Sequence, residues 1–240
     1  MLASTIVVGA RGRMGSLVCA TVEADDALEL VGTYDACDIA DLDEDAPVAD
    51  LVIDFSSPTA LPHVASYVRR TGAALVSGTT GMGEDELGVM RSLGEKSRVV
   101  WSSNYSLGVA VLRRIAAEAA RALEGWDVEI VETHHNQKAD APSGTAKALL
   151  AAVDPQGTCD VSHGREGIVG ARPQREIGMH ALRGGTVAGT HEVHFFGTDE
   201  EVCLTHRAAS RQIFVAGAVA CAKRLLDAPV GFHTFDDLMF

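Results

Sequence analysis

The polar segment from His134 to Lys138 contains the residue types in this sequence that are best suited to chemistry. A histidine gives up a proton near neutral pH, which a lysine of ordinary pKa does poorly, so either His134 or His135 is a candidate proton donor. Lys138 adds a full positive charge close by. The Ser-Gly-Thr sequence that follows is typical of a helix start, where the backbone N–H groups of Gly144 and Thr145 can bind a carboxylate. The segment predicts a site that binds a small anion and protonates it.

A bound metal ion is the alternative use of these two adjacent histidines, with help from His191, His194 or His206. Adjacent histidines at the end of a loop rarely direct both rings at one ion, and the chain has no HExxH spacing. We therefore expect no metal at this site.

Glycines spaced as GxxGxxG, at Gly9, Gly12 and Gly15, lie between a short β-branched run and a helical pattern. Glycines allow a tight turn and let the backbone approach a pyrophosphate, which then meets the positive end of the helix dipole. The motif alone is weak, but its place between the first strand and the first helix strengthens it. Asp35 ends the second strand, where a carboxylate accepts hydrogen bonds from ribose hydroxyls. These residues predict a nicotinamide dinucleotide site.

Opposing charges bear on which dinucleotide is bound. Asp35 repels the 2′-phosphate of NADPH, and no arginine follows it, since Ala36 and Cys37 come next. Arg11 and Arg13 in the glycine turn can attract that phosphate. We expect the protein to use NADH, or both NADH and NADPH.

A second glycine-containing loop, Ser-Gly-Thr-Thr-Gly, follows the fourth predicted strand. Loops at the carboxyl ends of strands line the ligand crevice of a doubly wound sheet. Gly78, Thr79 and Thr80 are therefore candidates to meet the nicotinamide ring and its ribose, and an ordinary turn is the alternative. Ser103 and Asn104, which follow the fifth strand, occupy an equivalent edge.

Strand and helix patterns alternate through the first hundred residues. Short apolar runs predict strands at Thr5–Val8, Leu28–Tyr34, Leu51–Phe55, Leu75–Ser77 and Val99–Ser102. Helical patterns fall at Gly12–Ala24, Pro58–Arg70 and Glu84–Leu93. Continuous apolar strands separated by helices indicate a parallel sheet covered on both faces. The fold class is therefore α/β, with an N-terminal Rossmann domain built on a doubly wound parallel sheet.

The pattern changes after Asn104. Helices are predicted at Val109–Leu123, Ser143–Ala152 and Arg211–Leu226. Strands are predicted at Trp126–Thr133, Glu176–Leu182, Thr190–Phe196 and Glu201–His206. Residues 154–175 contain turn formers and predict a long loop. Because the strands are grouped together, we expect a second, α+β domain with a mixed sheet.

The composition excludes several classes of protein. The chain has 33 acidic and 20 basic residues, a formal net charge of −13, which is the opposite of a nucleic-acid binder. No stretch approaches the roughly 20 apolar residues of a membrane helix, and the first residues do not have the pattern of a signal peptide. The five cysteines are scattered, so we expect neither disulfides nor a structural zinc site. We expect a cytoplasmic protein with no nucleic-acid or membrane partner.

Several motifs of the chain resemble those of one known family. They are GxxGRMG, SGTTG, ETHHxxKxDAPSGTA and GTHEVHF followed by THRAxSRxxFxxGA. They cover nearly the whole chain in the right order, and the central histidine–lysine–SGT motif is highly specific. The sequence resembles the dihydrodipicolinate reductases, also called 4-hydroxy-tetrahydrodipicolinate reductases.

The resemblance implies a step of diaminopimelate and lysine biosynthesis. In that step hydride passes from a reduced nicotinamide to a cyclic, unsaturated imine dicarboxylate, which gives tetrahydrodipicolinate. His134 resembles the family's proton donor and Lys138 its partner in catalysis. His135, Gly144 and Thr145 resemble the groups that hold the substrate carboxylates. The residues that resemble the family's cofactor contacts are Gly9, Arg13, Met14, Asp35, Gly78, Thr80 and Asn104.

The resemblance also implies an assembly and a domain organisation. The family forms homotetramers through the sheet of its substrate domain, and its C-terminal helix returns to the Rossmann domain. We therefore expect a dinucleotide-binding domain at 1–105 with 212–240. Residues 106–211 then form a substrate-binding and oligomerisation domain.

Two rival functions share the predicted dinucleotide site. Another two-domain dehydrogenase, acting on an amino acid or a semialdehyde, would not need HHxxK followed by SGT. A non-catalytic sensor of redox state would keep the glycine turn and Asp35 yet tolerate loss of His134 and Lys138, and both are present. A small dicarboxylate is therefore the expected substrate.

Overall fold

Short runs rich in apolar and β-branched residues form a parallel sheet, most of it in the first part of the chain. The computed structural model describes residues 2–240. Within them, the strands of this sheet are β1 (Ala3–Val8), β2 (Leu28–Tyr34), β3 (Leu51–Asp54), β4 (Ala74–Ser77), β5 (Arg98–Trp101) and β11 (Gly231–His233), labelled in chain order. Their spatial order is β11-β5-β4-β3-β1-β2, and every pairing is parallel. The sheet has the order of a doubly wound fold and confirms the predicted Rossmann class.

Helices with one apolar face accompany this sheet. They are α1 (Gly15–Glu23), α2 (Asp41–Glu44), α3 (Leu61–Thr71), α4 (Glu84–Leu93), α7 (Gln212–Asp227) and α8 (Phe235–Met239). The sequence of helix α3 explains where it starts and ends. Pro62 lies in its first turn, and Gly72 ends it in a left-handed conformation with φ of 76°. Its buried residues Val64 and Val68 pack on the sheet in one apolar core.

The middle of the chain forms a second, mixed sheet in the described residues. Its strands are β6 (Asp127–His134), β7 (Asp160–Ser162), β8 (Glu176–Arg183), β9 (Gly189–Phe196) and β10 (Glu201–Ala208), in the order β10-β9-β6-β8-β7. β6 runs parallel to β8 and antiparallel to β9, which confirms the predicted mixed sheet. Helices α5 (Leu107–Ala122) and α6 (Gly144–Val153) contribute Leu112 and Leu149 to a core with Ile130, Val193 and Phe195.

The chain divides into two compact units. One comprises Met1–Ser106 with Gln212–Phe240, and the other comprises Leu107–Arg211. Across residues 2–240, none of the helices has both the length and the apolar character that crossing a bilayer requires.

The structure contains two short strands that the sequence analysis did not predict. Residues 154–175, predicted to be a loop, include the strand β7, which pairs with the start of β8. Its three residues are polar or exposed and show no periodicity, so no hydrophobic pattern predicts the strand. Near the C-terminus, the strand β11 extends the parallel sheet beside β5 and was likewise not predicted.

Candidate active site

The carboxyl end of β6 places two ionisable side chains on one face of the sheet. Glu132 and His134 are two positions apart, and side chains at that spacing point the same way in a strand. The pairing with β8 sets His134 opposite Arg183, and the pairing with β9 sets Glu132 opposite His191. On the next strand, His206 lies opposite His191. Strand register therefore gathers one carboxylate, one arginine and three histidines in a small area.

Glu132 is fully buried, and each of its carboxylate oxygens has a donor. Oε2 accepts a hydrogen bond from His134 Nδ1. Oε1 accepts from Arg183 Nη2 at 2.9 Å and from the Ser143 N–H at 3.1 Å. Burial by itself would raise the pKa of Glu132, but the hydrogen bonds from Arg183 and His134 outweigh it and hold the pKa below its ordinary value. Glu132 is therefore ionised at neutral pH.

The His134 ring is held at one nitrogen by Glu132, and its side chain is 12% exposed. An ionised carboxylate only accepts hydrogen bonds, so Nδ1 carries the proton that is shared with Glu132. Nε2 faces Gly189, where a Cβ atom would lie 3.2 Å from it. Burial, helped by the charges of Lys138 and Arg183, lowers the pKa of His134 despite the opposing effect of Glu132. The ring suits the transfer of a proton through Nε2.

Lys138 lies in the loop after β6, where its side chain is only 20% exposed. Its Nζ donates to Asp140 Oδ1 at 2.7 Å, and this hydrogen bond is the main reason that the pKa of Asp140 falls below its ordinary value. The Lys138 N–H donates to the His135 carbonyl at 3.2 Å, which forms a tight turn. His135 and Lys138 thus lie in one turn after His134, and the charge of Lys138 acts on the His134 ring.

Helix α6 begins immediately after this loop. Ser143 is its N-cap: the backbone there is extended, and Oγ accepts a hydrogen bond from the Ala146 N–H at 3.2 Å. The first helical residues are Gly144 and Thr145, and the first turn of a helix directs its N–H groups outwards with a partial positive charge. A Cβ atom added to Gly144 would meet no neighbour within 4 Å, so the backbone is accessible there. This helix start can bind a carboxylate.

His191 is a buried residue that contacts both Ser143 and His134. It is 4% exposed, its Nε2 lies 3.3 Å from Ser143 Oγ, and its ring meets the His134 ring edge-on at 5.2 Å between centroids. Burial, and then the neighbouring His134, lower the pKa of His191 to about 4, so this ring is neutral at physiological pH. Its Nδ1 has no hydrogen-bond partner among the described residues.

The positions of the histidines also bear on the metal alternative. Donor atoms of Glu132, His134 and His191 lie within 4.8 Å of one another, whereas His194 belongs to a separate group with Glu201 and Cys203. At the first group, Arg183 donates directly to Glu132 and places a positive charge where a metal ion would bind. That arrangement favours proton transfer over metal binding.

The glycine turn after β1 is built too tightly for side chains. Gly9 has φ of 79°, and a Cβ atom on it would lie 2.5 Å from the Phe55 carbonyl oxygen. A Cβ atom on Gly15 would lie 2.0 Å from the carbonyl oxygen of Gly9. The Gly9 N–H donates to the Tyr34 carbonyl at 2.8 Å, which ties the turn to the end of β2. Because α1 begins at Gly15, the turn places a helix N-terminus where a pyrophosphate can bind. The residues present therefore fit a dinucleotide.

Asp35 lies at the end of β2, beside this turn. Its Oδ2 accepts a hydrogen bond from the Arg11 N–H at 2.8 Å. The Arg11 guanidinium is 69% exposed and forms an ion pair with Asp38 at 3.1 Å. An acidic side chain and an exposed arginine thus share the corner where the adenosine ribose of a dinucleotide would lie.

A buried aspartate shapes the loop after β4. Asp54, 2% exposed, accepts hydrogen bonds from Ser77 Oγ at 2.9 Å and Thr79 Oγ1 at 2.8 Å. Thr79 is therefore turned towards the interior, whereas Thr80 is exposed. A Cβ atom on Gly78 would lie 2.1 Å from the Phe55 ring, so only glycine fits there.

The loop after β5 is held by local hydrogen bonds. Asn104 Oδ1 accepts from the Ser106 N–H at 2.8 Å, and its own N–H donates to Ser102 Oγ at 3.2 Å. Ser103 is exposed between them. Asn104 therefore fixes the shape of this edge of the parallel sheet.

Sequence reasoning assigned no role to Glu132, Arg183 or Asp54. For Glu132 a signal existed, since it precedes His134 by two positions in a strand. Arg183 and Asp54 become significant only through long-range contacts that the sequence pattern does not contain.

A doubly wound parallel sheet with a glycine turn, together with a histidine–carboxylate site on a mixed sheet, defines the class of Rossmann-type oxidoreductases. Two family models match the chain: "Dihydrodipicolinate reductase, N-terminus" over residues 3–105 and "Dihydrodipicolinate reductase, C-terminus" over residues 108–239. The chain belongs to the dihydrodipicolinate reductase family.

Similar proteins carry the same family name over their full length. The 4-hydroxy-tetrahydrodipicolinate reductase of Caldanaerobacter subterraneus subsp. tengcongensis is 37% identical, with 100% of this chain and 99% of the relative covered. The reductase of the same name from Methanopyrus kandleri is 39% identical, with 98% and 96% covered. The chain therefore spans essentially the whole length of these relatives.

Solved structures share the fold. A dipicolinate-bound dihydrodipicolinate reductase from Paenisporosarcina sp. TG-14 superposes with a TM-score of 0.78 at 21% identity, covering 100% of both chains. An amine dehydrogenase from Mycobacterium smegmatis superposes with a TM-score of 0.60 at 12% identity, covering 98% of this chain and 95% of its own. The second match shows that this fold occurs with more than one substrate, so the substrate must be argued from the site.

Proposed function

We propose that this protein reduces 4-hydroxy-tetrahydrodipicolinate to tetrahydrodipicolinate with NADH or NADPH, a step of diaminopimelate and lysine biosynthesis. The observation that carries the proposal is the Glu132–His134 pair beside the start of α6, in a chain of this family. A proton donor next to an anion-binding helix start suits a small dicarboxylate. An amino acid or semialdehyde dehydrogenase has no need of this combination.

The residues of the second unit bind and protonate the substrate. The N–H groups of Gly144 and Thr145 and the side chain of His135 hold the substrate carboxylates, and Lys138 balances their charge. His134 gives a proton from Nε2 to the carbon centre that becomes electron-rich during reduction. A bound reduced nicotinamide supplies the hydride. The 4-hydroxyl group leaves as water, which creates a carbon–carbon double bond in the ring. Hydride and proton together reduce that double bond, so the electrons and atoms balance.

The residues of the first unit bind the dinucleotide. The pyrophosphate meets the backbone of the glycine turn and the start of α1, where Arg11, Arg13 and Met14 lie between the glycines. The turn glycines are Gly9, Gly12 and Gly15. At the edges of the sheet, the residues proposed to contact the nicotinamide side of the cofactor are Gly78, Thr80, Ser103 and Asn104. Thr79, which the sequence also suggested, is buried and bonded to Asp54, so it shapes the loop instead.

The ribose corner sets the preference between the two dinucleotides. Asp35 accepts from a ribose hydroxyl of NADH, and the exposed Arg11 guanidinium can turn from Asp38 to a 2′-phosphate. An acidic and a basic group at one corner give each dinucleotide a favourable contact. We therefore assign the protein to NADH use or to use of both dinucleotides.

Membership of this family supports a proposal for the assembly and the location. We assign a cytoplasmic homotetramer, associated through the second sheet. Its face turned away from α5 and α6 exposes Leu182 and Phe196, at 48% and 40%. Large apolar side chains on an exposed sheet face suit an interface between subunits.

The test is the loss of reduced-nicotinamide absorbance with freshly made 4-hydroxy-tetrahydrodipicolinate, run with NADH and with NADPH. We expect rapid oxidation by the wild-type protein, and a loss of about a hundredfold or more in His134→Ala. His63→Ala is the matched control, because His63 pairs with Asp43 in the first unit and lies outside the proposed site. Absence of oxidation with either dinucleotide, in protein shown to bind one, would reassign the chain to another dehydrogenase activity.

A further inference from the structure

Glu132 combines complete burial with a negative charge, which is costly unless every carboxylate oxygen is compensated. The compensation here is split between the two oxygens. Oε2 accepts from His134 alone, while Oε1 accepts from Arg183 and from the Ser143 backbone. One carboxylate thus contacts both the proposed proton donor and the N-cap residue of the anion-binding helix.

We propose that Glu132 is a positioning residue for the reaction. It holds the proton of the neutral His134 ring on Nδ1, so that Nε2 is the nitrogen that delivers a proton to the substrate. The assignment rests on the proposed function for its effect on turnover, but the state of the His134 ring is a property of the protein alone.

The position of the proton follows from the chemistry of the partners. An ionised carboxylate offers no proton, so a His134 Nδ1 atom bonded to it must be the donor. In the charged ring both nitrogens carry protons, and the one on Nε2 leaves while the Glu132 bond is kept. The space in front of Nε2 is maintained by Gly189, which has no side chain to fill it.

Arg183 keeps Glu132 in its ionised form. Its Nη2 atom donates to Glu132 Oε1 at 2.9 Å and also to the carbonyl of Asp140 at 2.7 Å. Protonation of Glu132 would leave a buried guanidinium hydrogen facing a neutral carboxyl group, which is unfavourable. Glu132 therefore does not take the proton of His134 but stabilises the charged ring next to it.

Ser143 links the same carboxylate to the anion-binding helix start. Its N–H donates to Glu132, and its Oγ caps α6 by accepting from Ala146. His191 contacts that hydroxyl from the other side. The Glu132 side chain thus sets the distance between the proton donor and the start of α6. A substrate that binds at both places must match this distance.

The substitution Glu132→Gln separates these roles. A glutamine keeps an oxygen for Arg183 and Ser143 but presents an NH₂ group to His134, which forces Nδ1 to accept and moves the ring proton to Nε2. Nitrogen-15 NMR of the histidine rings, at a pH where His134 is neutral, should show an Nδ1–H ring in the wild type and an Nε2–H ring in the variant. We expect kcat to fall about a hundredfold or more, with little change in the KM for the dicarboxylate.

Glu129→Gln is the matched control. Glu129 lies on the same strand and is ion-paired with Arg165, Arg172 and His180, so its loss also removes a partly buried carboxylate from β6. We expect Glu129→Gln to leave the His134 tautomer unchanged and kcat within about threefold of wild type. Glu132→Asp, which keeps the charge, should restore the Nδ1–H ring and part of the lost kcat.

The outcomes separate the two proposals. An unchanged tautomer and unchanged kcat in Glu132→Gln would overturn the positioning role, as would equal losses of kcat in the Glu132 and Glu129 variants. If the wild type oxidises neither dinucleotide, the proposed function fails, while the NMR comparison still decides the state of His134. If Glu132→Gln does not fold, the Glu132→Asp ring spectrum decides: an Nε2–H ring there contradicts the proposal.

Discussion

Two opposing effects act on the pKa of His134. The Glu132 carboxylate favours the charged ring, while burial and the positive charges of Lys138 and Arg183 favour the neutral ring and prevail, so its pKa lies below the ordinary value of 6.5. The group must be charged to give a proton. Its activity is therefore present below its pKa and lost as the pH rises through it.

A pH profile tests this balance. We expect kcat/KM to fall with rising pH on a limb centred below 6.5, because kcat/KM reports the free enzyme. A bound dianion adds negative charge near His134 and raises its pKa, so the limb of kcat should lie at higher pH. Identical limbs for the two parameters would show that no anion binds next to the ring.

At the residue scale, the local motif predicted more than half of the proposed second-unit site. His134, His135 and Lys138 lie within one short segment, so their proximity needs no knowledge of the fold. Arg183 is different, because only the parallel pairing of β6 with β8 brings it opposite His134. That pairing joins segments far apart in the chain, and no local pattern encodes it.

At the scale of elements, the start of α6 contributes both to the stability of the protein and to the proposed binding of the substrate. Its Ser143 cap satisfies a backbone N–H and fixes where the helix begins. We expect Ser143→Ala to cost about 1 kcal/mol of stability. It should also raise the KM for the substrate severalfold, because the N–H groups of the first turn are no longer held in place.

Thr234→Ala is the control for that prediction. Thr234 caps α8 in the same way, with its Oγ accepting from the Asp237 N–H at 3.2 Å, in the other unit of the chain. Thermal unfolding should show a similar loss of stability, and substrate titration should show an unchanged KM. A rise in KM of the same size in both variants would mean that Ser143 acts through general stability alone.

Elements were predictable where hydrophobic periodicity was strong. The runs that became β1, β3 and β4 are nearly all apolar because both faces of a parallel strand are buried. β7 and β11 have three residues each, and pairing with a neighbouring strand defines them rather than any pattern of their own. Such strands are assigned from the fold, not from the sequence.

At the scale of the whole molecule, the proposed tetramer requires that the exposed face of the second sheet be buried between subunits. Phe196 lies on that face at 40% exposure. We expect light scattering to give the mass of four chains for the wild type, and a smaller species for Phe196→Glu, because a buried charge would oppose association. Val48→Glu, at a position that is 71% exposed in the first unit, should leave the mass unchanged. A wild-type mass of one chain would contradict the assembly.

The first unit is discontinuous in sequence: it begins with Met1–Ser106 and is finished by Gln212–Phe240. A ribosome therefore delivers every residue of the second unit, Leu107–Arg211, before it delivers α7 and the edge strand β11. Domains fold largely as units as they emerge during synthesis. The first five strands of the parallel sheet must consequently wait, with the place of α7 unfilled and one edge of β5 still unpaired, while the inserted unit can already fold. In the cell, the part of the protein that is translated first is completed last, and a nascent chain stalled before Gln212 would carry the whole second unit, with His134, but an unfinished parallel sheet.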